Sequence, residues 1–81
     1  MSNTIKLHNA FAQSLQIDAS KVSQDLAYKE IAEWDSVAHM ALIAEIEAVF
    51  DVMLDTDDIL AMNSVAKAEE ILVKHGILFE V

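Results

Sequence analysis

At 81 residues the chain has room for one domain, residues 1–81, built around a small core. Apolar residues make up 54% of it, which excludes a disordered chain, and the lack of Cys excludes a disulfide framework, a thiolate nucleophile and a Cys-based metal site. Five Lys against 14 acids leave a formal charge of −9, a field that disfavours nucleic acid and membrane surfaces and favours proteins with basic docking patches.

The chain has no Pro and a single Gly, Gly76, and this scarcity of breakers points to an all-α fold. The first helix is predicted over 4–15, where Leu7, Phe11 and Leu15 repeat every fourth residue as one apolar stripe. Ser2, Asn3 and Thr4 are available to cap it, and Ile17 and Asp18 end it. The polar residues mixed into 1–15 do not read as a signal peptide. The longest apolar stretch, 37–44, is too short to span a bilayer and contains His39, so a cytoplasmic protein is expected.

Over 16–34 the periodicity fades. Asp18, Ser20, Ser23 and Asp25 are turn formers, while Ile17, Val22, Leu26, Tyr28, Ile31 and Trp34 are spaced like pegs that anchor a long crossover. A helical turn or two is expected within 26–33. Tyr28 and Trp34 read as loop anchors, and Trp34, bordering residue 36, is also a candidate recognition residue.

The strongest helix is predicted over 36–50, with Asp35 as its N-cap and Leu42, Ile46 and Phe50 as its buried stripe. Val37, Ala41, Ala44 and Ala48 lie on another, smooth and weakly apolar face, with Glu45, Glu47 and Asp51 beside it. An extended connection over 52–54 leads to a brief helix capped by Asp55 or Thr56. There Asp57 and Asp58 face the positive helix end, while Ile59 and Met62 turn inward. Asn63 or Ser64 caps a last helix with Val65, Ala68, Ile71 or Leu72, and His75 on its inner side. Lys74 and His75 suit its negative end and Gly76 its stop, and the apolar tail 77–81 packs back on the bundle. The sum is an irregular four-helix bundle with a long first loop and a short third helix.

The informative triplet is Asp35-Ser36-Val37 at a helix start after a long loop. A phosphodiester on the Ser36 oxygen would sit at the positive end of the helix dipole, beside spare backbone N–H groups. Here the chain resembles the acyl carrier proteins and the related peptidyl carriers, whose second helix opens with Asp-Ser-Leu. The likeness runs through Trp34-Asp35-Ser36-Val37, the stripe Leu42/Ile43/Ile46/Phe50, the acidic short helix and Ser64-Val65 opening the last.

The resemblance implies a monomeric carrier rather than an enzyme. Ser36 would receive 4′-phosphopantetheine from coenzyme A through a phosphopantetheinyl transferase, with Asp35 as the adjacent cap. Acyl or aminoacyl groups would then ride as thioesters, to be presented to the loading and processing enzymes of fatty-acid, polyketide or nonribosomal-peptide-type biosynthesis. Val37, Ala41, Ala44, Glu45, Glu47 and Ala48 are the candidate docking face. Val37 departs from the usual Leu, and the three alanines stand where fatty-acid-synthesis carriers tend to be acidic or larger. Trp34 and His39 look more like freestanding carriers of specialised pathways.

Three other readings compete. Asp35, Ser36 and His39 are triad residue types, but Asp35 points to the cap and no Gly-rich oxyanion loop exists, so His39 is expected to be a solvated neighbour of the arm. Asp51, Asp55, Asp57 and Asp58 are dense acids without Ca²⁺-loop spacing, and His8, His39 and His75 lie on separate elements, so no metal site is expected. An unmodified interaction module using the exposed face of the second helix keeps the fold without the arm. Met40 and Met62, with Ile59 and Leu60, could line a deformable gap for an acyl chain.

Overall fold

In the computed structural model, which describes residues 2–79, each α-helix begins where a short polar side chain can accept from the first turn. The Ser2 hydroxyl accepts from the Ile5 amide at 3.1 Å and opens α1, Asn3–Leu15. Asp35 does the same for Ala38 and opens α2, Ser36–Phe50. Asp55 accepts from Asp58 for α3, Thr56–Ala61, and Ser64 from Lys67 for α4, Val65–Lys74. Of the alternatives left open by the sequence, Asp55 and Ser64 are therefore the caps. The helix order is the predicted one, with α1 starting one residue earlier.

The buried faces follow the predicted stripes. Leu7, Phe11 and Leu15 of α1 meet Leu42, Ile43, Ile46 and Phe50 of α2 and Val65, Ala68, Ile71 and Leu72 of α4 in one core. Gly76, at φ +92°, stops the chain after α4. Beyond it Ile77 and Phe79 pack on the core, the Phe79 ring 6.1 Å from that of Phe50, while Leu78 is exposed. The rest of the predicted apolar tail, residues 80–81, lies outside the described residues.

The crossover differs from expectation. A single 3₁₀ turn spans Ala19–Lys21, and residues 26–33 form hydrogen-bonded turns rather than a helical segment. The reason is that its backbone bonds go elsewhere. Tyr28 N–H donates to the Asn63 carbonyl at 2.8 Å and the Leu26 carbonyl accepts from Val65 N–H at 3.0 Å, an antiparallel bridge between Ala27 and Ser64. The Gln24 carbonyl accepts from Ala66 N–H, and the Gln24 amide donates to Glu69. The start of α4 thus draws its acceptors from the crossover, which satisfies donors that a helix end otherwise leaves to water.

Trp34 ends the crossover and is wholly buried. Its indole packs edge-on against Phe11 at 5.2 Å and Tyr28 at 5.9 Å, and stacks on the His39 ring at 6.0 Å. Tyr28 and Trp34 are anchors, as expected. Zero exposure removes Trp34 from the candidate recognition residues, because a partner cannot reach it.

Candidate functional site

Ser36 is the first residue of α2 and is exposed. Its position follows from Asp35, whose extended backbone and capping carboxylate, 2.9 Å from the Ala38 amide, start the helix at that point. The Asp35 carbonyl accepts from His39 N–H at 2.8 Å. These two bonds occupy the Ala38 and His39 amides and leave those of Ser36 and Val37 to solvent, next to the serine oxygen. An anion attached there would meet free donors and the positive helix end together.

His39, one turn along, is not solvated as expected. Its ring is half-buried, with Nδ1 accepting from the Trp34 indole N–H at 3.0 Å and Nε2 within 2.9 Å of the Ile59 carbonyl on α3. An indole N–H only donates, so Nδ1 must be the acceptor and Nε2 must carry the proton that reaches Ile59. Neither nitrogen remains to take a proton from Ser36, and the Asp35 carboxylate is engaged at the cap. The three triad residue types lie close together without the connections of a triad.

Between α2 and α3 lies a cavity of roughly 250 Å³, walled by Ser36, His39, Met40, Ile59, Leu60 and Met62, with Tyr28 and Asn63 completing it. The gap expected around the two methionines therefore exists, and it borders the serine. Its two methionines differ: Met62 is buried, whereas Met40 is 56% exposed.

Four of the six candidate docking residues form an exposed stripe on α2. Val37 is 81% exposed, and Ala41, Ala44 and Ala48 are also open. Glu45 and Glu47 are half-buried, and Glu47 turns toward the α2–α3 connection, where its carboxylate accepts from Leu54 N–H at 2.9 Å. Exposed Leu60, at 76%, and Met53, at 84%, add apolar surface on and before α3; Leu60 was expected at the gap, whereas Met53 was not singled out by the sequence pattern.

The acids of the third helix are not gathered for a metal; among the described residues no group of three ligating side chains forms. Asp55 serves as a cap, and Asp58, expected to face the positive helix end, is only 2% exposed. Its carboxylate accepts from Lys74 Nζ at 2.7 Å and lies 2.8 Å from His75 Nε2. The Lys74 ammonium, then the His75 contact, hold the Asp58 carboxyl down at about 2 despite the opposing effect of burial. The same pair raises Lys74. His75, expected on the inner side of α4, is instead an exposed residue at the helix C-cap, where its Nε2 meets the Asp58 carboxylate.

The arrangement of helices has a known counterpart. The likeness is to an acyl carrier protein. The holo acyl carrier protein from Geobacter metallireducens, solved by solution NMR, matches with a TM-score of 0.77 over 91% of this chain and 85% of that one. Identity between the two is 22%, so what they share is the fold, a small all-α bundle. No family model matches the chain, and no curated protein matches its sequence significantly. Among the described residues no helix is long and apolar enough to cross a membrane.

Proposed function

We propose that the chain, acting as a single unit over 1–81, is a carrier that holds 4′-phosphopantetheine on the Ser36 oxygen and performs no chemistry of its own. One observation carries the reading: an exposed serine at the first turn of α2, beside its Asp cap, in a bundle that matches a holo acyl carrier protein in fold. The residues present fit the group. The hydroxyl is open to a transferase, the Ser36 and Val37 amides are free to receive a phosphate, and a largely apolar cavity adjoins the attachment point.

When bound, the group supplies a terminal thiol to which acyl or aminoacyl cargo attaches as a thioester. The chain's own residues position it. Asp35 fixes the helix start, and Val37, Ala41, Ala44 and Ala48 offer an exposed face to the phosphopantetheinyl transferase and to loading and processing enzymes. The charge of −9 favours basic patches on those partners. In this reading, carried over from the family resemblance, the chain is a cytoplasmic monomer that serves fatty-acid, polyketide or nonribosomal-peptide-type biosynthesis. Tethering raises the local concentration of cargo at each partner site. The cavity beside Ser36 is the place for the near end of an acyl chain, since Met40 and Met62 can repack around it.

Incubation with coenzyme A, Mg²⁺ and a broad-specificity transferase, followed by intact-mass spectrometry, tests the reading. The wild-type chain gains one phosphopantetheine and Ser36→Ala gains none. A wild-type chain that is never modified would leave an interaction module, with the small-residue stripe of α2 as its contact face.

A further inference from the structure

Helix α3 is only six residues long, and one side of it borders the cavity. Across that cavity it is tied to α2 by one side-chain bond, from His39 to the Ile59 carbonyl. The opposite nitrogen of the same ring accepts from Trp34, which the core immobilises. The path from Trp34 through His39 to Ile59 therefore runs from the rigid part of the molecule to the wall of the cavity. We infer that His39 is a positioning residue that holds α3 against α2 and sets how far the cavity beside Ser36 is open, and that it lets go when its ring takes up a proton.

The chemistry is a matter of donors and acceptors. Neutral imidazole offers one of each, and the geometry uses both. A proton on Nδ1 turns that nitrogen into a donor facing the Trp34 N–H, so the bond to Trp34 is replaced by a clash of two donors. The ring must then rotate or withdraw, and the Ile59 bond goes with it. Imidazole is the side chain whose ordinary titration lies near neutrality.

The surroundings of the ring leave this effect unopposed. From the crossover, Tyr28 touches the ring at 5.3 Å between centroids, and the Lys29 ammonium lies over that tyrosine, 5.7 Å from its centroid. Glu30 and Glu33 are exposed. On α2 the Asp35 carboxylate is engaged with Ala38, and on α3 the Asp58 carboxylate is turned to Lys74 and His75 while Asp57 is exposed. No carboxylate is bonded to the imidazole to hold a charge in place. The Asp58–Lys74 pair persists over the same pH range, so α3 stays fastened to α4 while it parts from α2.

The inference rests on the carrier reading only for what enters the cavity; the motion belongs to the chain alone. It is tested on the unmodified protein by amide hydrogen exchange, corrected for the intrinsic rate, between about pH 8 and about pH 5. Protection of the Ile59 and Met62 amides falls about tenfold on acidification, the scale of one or two net hydrogen bonds, while that of α4 amides holds. The fall follows the titration of the His39 ring resonances rather than those of His8 or His75. In His39→Leu, which keeps side-chain bulk and removes both bonds, α3 protection is low throughout and flat with pH. Wild-type α3 protection that ignores the His39 titration overturns the inference, as does a folded His39→Leu with α3 still protected. If that variant does not fold, the wild-type titration decides alone. Because no arm is present, either result is independent of whether Ser36 is ever modified.

Discussion

A single carboxylate shows how far context can move a residue from its usual role. Acids at the start of a helix are normally exposed and gain modestly from the helix dipole. Asp58 instead enters the bundle, because Lys74 and His75 at the end of α4 supply the donors that make burial tolerable. Its carboxyl is lowered from the usual 3.8 to about 2, so the folded state binds its proton more weakly than the unfolded chain does. The stabilisation is therefore present above the ordinary carboxylate value and is lost as pH falls through about 2. Asp58→Asn should lower the urea midpoint at neutral pH, with the gap from wild type closing progressively as the pH falls from about 4 toward 2. A gap that does not change with pH would show that the carboxylate charge is not what holds α3 to α4. Sequence reasoning missed the pair because its members stand 16 and 17 residues apart and carry no short-range signal.

At the level of elements, starts were more legible than stops. Ser, Asp, Asp and Ser mark all four helix starts, and each cap works through its own short side chain within three residues. The ends of α1 and α2 are different. Gln16 and Asp51 adopt left-handed conformations at φ 57° and 53°, and the next residues, Ile17 and Val52, donate back to the Ala12 and Glu47 carbonyls. This is the closure that glycine normally provides, made here by residues with a Cβ. Gly76 after α4 could be recognised in advance; Gln16 and Asp51 could not, because packing of the connections imposes their conformation. An L-residue held there costs about 1–2 kcal/mol, partly offset by the greater entropy glycine loses on folding. Gln16→Gly should accordingly stabilise the fold by about 0.5–1 kcal/mol in denaturant titrations. Destabilisation would mean that the glutamine side chain makes a contact worth more than the strain.

For the molecule as a whole, the crossover is a structural member rather than a tether. It caps α4 with the Leu26 and Gln24 carbonyls, and it ends on Trp34, which meets Phe11 of α1 and His39 of α2 in the core. Trp34→Ala should cost about 3–5 kcal/mol, a large share of the roughly 4–12 kcal/mol expected for a chain of this size. A cost below about 1 kcal/mol, read from equilibrium urea unfolding, would place the crossover outside the cooperative unit. The order of helices, their apolar faces and the position of Ser36 at a helix start were readable from the chain alone, because periodicity and capping act within one or two turns. Other features were settled by packing: the burial of Trp34, the diversion of Glu47, and the ties from His39 to Ile59 and from Asp58 to Lys74 and His75. A hydrogen bond needs its partners within about 3 Å, and for groups 16 to 20 residues apart only the docking of apolar faces brings them that close.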